Sequence, residues 1–131
     1  MTNIVRDYPP NIEKIRKVFP IKDNTVFTYG DTIYAPHITF TLPNDLIVHE
    51  ETHTRQQGND PEVWWDRYME DHEFRFQQEL EAYRNQYRAF CKVVKDRNRC
   101  FNFLVVIAKD LSSPLYGGVC DFFTATRLIK N

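Results

Sequence analysis

His49-Glu50-Glu51-Thr52-His53 sets two imidazoles four residues apart, with a carboxylate directly after the first. On a helix, residues four apart face the same way, so His49 and His53 can present ring nitrogens to one ion. A borderline-soft divalent ion such as Zn2+ suits those nitrogens and accepts the tetrahedral arrangement they begin. Glu50 falls on the flank of that face, where its carboxylate can reach a water on the ion without itself being a ligand. The chemistry on offer is hydrolysis. The ion acidifies the water and polarises a carbonyl, and Glu50 takes the proton and passes it to the leaving amine. Four histidines in 131 residues is an ordinary count; their spacing carries the information.

A zinc site of this kind needs a third protein ligand and an open position. His72, Glu73, Glu79 and Glu81 are available, with His37 more remote. Phe76, Leu80, Tyr83, Tyr87, Phe90 and Val94 recur at spacings of four and three, which marks the core-facing stripe of a long helix. At about 100° per residue, Glu79 lies about 60° from the centre of that stripe and Glu81 about 140° from it. A glutamate at the border of a buried stripe costs solvation unless it meets a cation. Glu79 is therefore the expected third ligand. His72, near the same stripe, is the alternative, and pairing of Glu79 with Arg75 or Arg84 is the bland reading. Ligating histidines usually give their other N–H to an acceptor, for which Asp45, Asp66, Asp71 and Gln78 are at hand. Tyr68, Tyr83, Tyr87, Tyr116 and His72 are candidate donors to a developing oxyanion, although Tyr83 and Tyr87 sit centrally enough in the stripe to be core.

The elements that must position these groups form one domain over residues 1–131. Asn11 can cap a short helix with Ile12, Ile15 and Val18 on one side, stopped by Pro20. Thr25–Tyr29 and Thr32–Ala35 flank Gly30-Asp31 as a hairpin, and Ile38–Thr41 reads as a third short strand, placing a small sheet in residues 25–41. That third piece could also be an edge against which a peptide lies. Asn44 or Asp45 can cap the motif helix, which Gly58-Asn59 ends. Asp60-Pro61 opens the next helix, and a break near Asp71-His72 is open at this level. Adjacent Trp64 and Trp65 diverge by about 100°, so one is expected inside and one at the surface. Residues 100–111 are read as a buried helix rather than a strand, and Asp121 as the cap of a last helix through Ile129.

The segments His49-Glu50-x-x-His53-Thr54-Arg55-Gln56-Gln57, Trp64-Trp65-x-x-Tyr68 and Glu79-Leu80-Glu81-Ala82-Tyr83 resemble the gluzincin branch of zinc metallopeptidases, in its minimal versions. They are also similar to small uncharacterised metallopeptidase-like proteins of phages and prophages. The resemblance implies a mainly helical α+β, zincin-like fold with zinc on His49, His53 and Glu79. It also implies Glu50 as the catalytic group, and a host-cytoplasmic or virion-associated setting. In that group the third ligand is a glutamate often followed three residues on by a small residue, as Glu79 is by Ala82. One departure matters. The aspartate that many gluzincins place after the small residue is Tyr83 here, so a ligating histidine must be supported otherwise.

Composition narrows the partners. Seventeen basic against eighteen acidic residues give a net charge of -1, which disfavours nucleic acid. The basic run around Arg97-Asn98-Arg99 reads as a solvated helix end. Residues 1–7 carry no apolar leader core and run into Pro9-Pro10, and the longest apolar run, Phe103–Ala108, is far short of a membrane span. Cys91, Cys100 and Cys120 are too few and too scattered for a disulfide framework, which fits a reducing, cytoplasmic setting. The expected partner is a peptide or protein substrate. A domain this small has few loops for deep subsites, so either specificity is loose or a second copy or a phage protein completes the cleft. The alternative function is a non-catalytic phage structural or accessory protein that keeps a zinc-stabilised core.

Overall fold

Gly30, at φ 63°, adopts the left-handed turn that lets Phe27–Tyr29 (β2) fold back antiparallel onto Thr32–Tyr34 (β3). The computed structural model describes residues 2–131; Met1, the first residue of the segment read as lacking a leader, lies outside the described residues. The hairpin stands as expected, but its third strand does not come from residues 38–41. It is Asn3–Val5 (β1), which pairs parallel with β3, Ile4 opposite Ile33, for a strand order β1-β3-β2. The reason is periodicity. Ile38 and Leu42 are buried while Thr39, Phe40 and Thr41 between them are exposed. Apolar residues four apart with three polar-facing positions between them cannot alternate across a pleat. Ile38 and Leu42 instead pin an irregular crossing against Ile33, Ala35, Leu46 and Ile47. No strand edge for a peptide lies there.

Helices make up the rest among the described residues. Ile12–Val18 (α1) is followed, past the hairpin, by Asn44–Gln57 (α2), Pro61–Glu70 (α3), His72–Val93 (α4), Arg97–Leu111 (α5) and Phe122–Lys130 (α6). A 3-10 turn, Pro114–Tyr116, joins the last two. Asp60, Asp71 and Asp121 each accept a hydrogen bond from the backbone N–H three residues on, starting α3, α4 and α6, the first and last of them where the sequence indicates. Asp71 settles the open question near residue 71: its extended backbone separates α3 from α4. Residues 100–111 are helical, with Leu104, Ile107, Ala108 and Leu111 buried. Two capping expectations fail. Asn11 stands at the start of α1 but its side chain makes no capping bond, and α2 begins one residue early, after Pro43. Asn44 and Asp45 are already helical, which frees Asp45 for the site described below.

Three apolar clusters surround one junction. Phe76, Leu80 and Tyr83 of α4 pack with α5, α6 and Tyr116; Ile15, Phe27, Trp64, Trp65 and Tyr68 form a second cluster; the crossing under β3 forms the third. Both tryptophans are buried, contrary to expectation, because α3 is covered on two sides. Trp64 faces α4, donating to Gln78 Oε1, and Trp65 faces the sheet, donating to the Thr28 carbonyl. The fold is thus mainly helical α+β, with the sheet packed on α2. No described helix is long and apolar enough to cross a membrane.

Candidate metal centre

α2 and α4 lie face to face, and their contact surface carries the chemistry-bearing residues. His49 and His53, one turn apart on α2, point the same way, as their spacing requires. Glu79 meets them from α4. Its Oε1 lies 3.0 Å from His49 Nε2 and 3.2 Å from His53 Nε2. Among the described residues these three form a group with one ligand atom each, all within 4.8 Å of one another, and all are buried. His72 and His37 are exposed and stand apart from it, as are Glu73 and Glu81.

The far side of each ring fixes its tautomer. His49 Nδ1 lies 2.9 Å from Gln86 Oε1, and Gln86 Nε2 donates to Asp45 Oδ2. His53 Nδ1 lies 2.8 Å from Gln56 Oε1, and Gln56 Nε2 donates to the Gln78 carbonyl and to Glu81 Oε1. In both cases the amide's N–H2 is claimed by acceptors behind it, so its oxygen faces the ring and Nδ1 carries the hydrogen. The two Nε2 lone pairs then converge on a carboxylate oxygen. Such a trio repels itself unless a cation sits among its members, either a proton or a metal ion.

Protonation follows that logic. Burial alone pushes the His53 imidazolium down, but Glu79, with Glu50 and Gln56 adding to it, more than offsets this and raises its pKa to about 9. Burial pushes the Glu79 carboxyl up, and the charge and hydrogen bonds of His53 and His49 hold it well below the usual carboxylate range instead. Tyr68 donates from its hydroxyl to Glu79 Oε2 at 2.5 Å. Arg75 and Arg84 do not pair with Glu79. Arg75 donates to the carbonyls of Tyr68, Met69 and Leu115, and Arg84 to that of Leu128.

Glu50 stands beside the donor group without belonging to it. Its Oε2 is 3.8 Å from His49 Nε2, and its Oε1 accepts from Thr28 Oγ1 at 2.9 Å. It is only 6% exposed, so a carboxylate has been placed in a dry setting with a single neutral donor on it. A cleft of about 490 Å³ opens over His49, Glu50, His53 and Glu79. Phe27, Trp65, Tyr68, Tyr83 and Tyr116 wall it, and Lys22 and Asp110 are the charged residues toward its rim. Burial pushes the phenols of Tyr68, Tyr83 and Tyr116 well above their ordinary value, so all three remain O–H donors.

Gln56, Gln86 and Thr28 are the site residues that sequence reasoning missed. Gln56 and Gln86 had a signal. Gln56 is three residues after His53 and Gln86 seven after Glu79, both spacings that share a helix face. Thr28 had none, because its role depends on how the sheet sits on α2. Of the acceptors weighed, Asp45 stands behind Gln86 and Gln78 supports Gln56 through its carbonyl, while Asp66 and Asp71 serve elsewhere. Comparison with protein-family models, with curated proteins and with solved structures gives no match.

Proposed function

We propose that the protein is a zinc-dependent peptidase whose ion is held by His49, His53 and Glu79. Two imidazole nitrogens and one carboxylate oxygen are the donor set of a catalytic zinc site, which keeps its fourth position for solvent or substrate. Bound there, zinc would supply Lewis acidity, lowering the pKa of a water molecule and polarising a carbonyl. The observation that carries the reading is Glu50. A purely structural ion needs no second carboxylate beside its ligands, yet Glu50 is buried at the edge of the donor group and opens onto the cleft.

The roles of the chain's own groups follow. Glu50 takes the proton of the attacking water and delivers it to the leaving nitrogen, with Thr28 holding one carboxylate oxygen and leaving Oε2 free to do so. Tyr83 and Tyr116, protonated and in the cleft wall, are the donors available to a developing oxyanion, since the Tyr68 hydroxyl is committed to Glu79. The cleft's volume lies within the range of small-molecule and peptide side-chain sites.

The test is metal analysis joined to cleavage of a varied peptide library. Stoichiometric zinc is expected in the wild-type chain, with its loss in His49→Ala and His53→Ala. Glu50→Gln is expected to keep zinc and fold while losing cleavage. A chain that takes up no zinc when zinc is offered, or a Glu50→Gln protein that cleaves at the wild-type rate, overturns the proposal. Zinc uptake without any wild-type cleavage points instead to the non-catalytic accessory reading, in which the ion serves the fold.

A further inference from the structure

Glu79 has two carboxylate oxygens, and the structure treats them differently. Oε1 faces both histidine Nε2 atoms, at 3.0 and 3.2 Å, whereas Oε2 accepts the hydroxyl of Tyr68. The phenol is itself held from every side. Its ring stacks on Trp64 with centroids 4.8 Å apart and meets Trp65 and Phe19 edge-on at 5.3 and 5.9 Å. Its backbone carbonyl accepts from Arg75 Nε at 2.7 Å, and that guanidinium also holds the carbonyls of Met69 and Leu115. The last turn of α3 is thereby bolted to the first turns of α4, which fixes where the Tyr68 ring presents its hydroxyl.

A carboxylate can bind a metal ion through one oxygen or two, and the choice decides how many positions remain for anything else. Resting on the zinc-site reading above, we infer that Tyr68 is a positioning residue that reserves Oε2 of Glu79, so that Glu79 serves as a one-oxygen ligand and a fourth position stays open beside Glu50. For Oε2 to turn toward the ion it would have to give up the hydrogen bond from Tyr68 in a buried setting. Charge-assisted O–H···O contacts of this kind are among the stronger ones a carboxylate makes. The remaining direction around the donor group faces the cleft, where Glu50 Oε2 lies 3.8 Å from His49 Nε2.

Cobalt substitution reads the coordination number directly, because four-coordinate Co2+ absorbs severalfold more strongly in the visible than five-coordinate Co2+. The Co2+-loaded wild-type protein is expected to show the intense four-coordinate spectrum, and Tyr68→Phe the weaker, five-coordinate one. Tyr29→Phe, which removes a phenol bonded to a carboxylate, Glu62, away from the donor group, is expected to leave the spectrum unchanged. X-ray absorption of the zinc-loaded wild-type chain needs no variant to fold and is expected to show four light-atom ligands at about 2.0–2.2 Å. A Tyr68→Phe spectrum identical to wild type, or five ligands in the wild-type zinc site, overturns the role of Tyr68 while leaving the zinc reading intact. No uptake of either ion by the wild-type chain overturns both.

Discussion

His53 and Glu79 bind each other with the same atoms they would offer to an ion, so a proton and an ion would compete for one place. The sign of the competition follows from the shifts. The folded pKa of His53, about 9, lies above its ordinary 6.5. Its contribution to stability is therefore fully present below pH 6.5 and is lost as pH rises from there through 9. Glu79 is shifted the other way, from an ordinary 4.5 downward, so its contribution is present above pH 4.5 and is lost as pH falls below it. The pair thus favours the metal-free fold most between pH 4.5 and 6.5. Metal binding needs His53 deprotonated. Zinc affinity is expected to rise by about tenfold per pH unit between pH 6.5 and 8, with about one proton released per ion. Calorimetric titrations in two buffers of different ionisation enthalpy measure that proton, and an affinity flat across the range would contradict it. The glutamines behind the rings are testable at the same scale. Gln86→Leu and Gln56→Leu each remove the acceptor that holds a ring by Nδ1, and each is expected to weaken zinc binding by about 10–100-fold in a chelator competition.

Among the elements, the 3-10 turn is held by a close approach to α4. Gly117 ends it at φ 82°, and a Cβ there would lie 2.8 Å from His72 Cβ at the start of α4. That close approach is what brings Tyr116 down onto the cleft and lets the Leu115 carbonyl reach Arg75. Gly118 has a similar positive φ of 59° but open space around it. Gly118→Ala is expected to cost only the left-handed backbone penalty, about 1–2 kcal/mol. Gly117→Ala adds a clash and is expected to cost clearly more in urea denaturation; equal losses would show that the contact with His72 relaxes freely. Elements of this kind also mark where sequence stops being informative. The helices were legible because apolar spacing and aspartate caps are local: Asp60 and Asp121 each bond the backbone N–H three positions on, whereas the α3–α4 break at Asp71 was left open because the apolar spacing runs close on both sides of it. His49, His53 and Glu79 were legible for the same reason, since each lies at a helical spacing from its neighbours. β1 was not, because Ile4 finds Ile33 across a gap of about thirty residues and nothing local announces it. Nor was the burial of both tryptophans, which depends on α3 being covered on two sides at once. Tyr68 illustrates the border case: its type drew notice as a donor, but only the packing of α3 on α4 sends that hydroxyl to Glu79 rather than to the cleft.

At the scale of the whole molecule, the donor group sits where three apolar clusters meet but belongs to none of them. α4, α5 and α6 bury their own core, and α1, β2 and α3 bury another, and neither includes His49, Glu50, His53 or Glu79. On that packing the chain is expected to differ from small domains whose fold exists only around a metal. The metal-free protein is therefore expected to stay folded, with its helical circular dichroism intact after chelation. The ion should nonetheless stabilise it, because its ligands come from two helices and are brought together only in the folded state. Ligands that bind the native form alone add RT ln(1 + [L]/Kd), about 2.7 kcal/mol when free zinc stands at a hundred times its Kd. For a domain of this size that corresponds to a rise in Tm of about 10 °C. Thermal melts of the wild-type chain with zinc and with chelator should show that difference, and it should vanish in His49→Ala and in His53→Ala. In Glu50→Gln it should persist, since Glu50 lies outside the donor group. Collapse of the helical signal on chelation would instead make the ion part of the core and assign the site to the fold. A folded metal-free state with a zinc-dependent Tm shift would leave the three clusters as the source of stability and the ion free for chemistry.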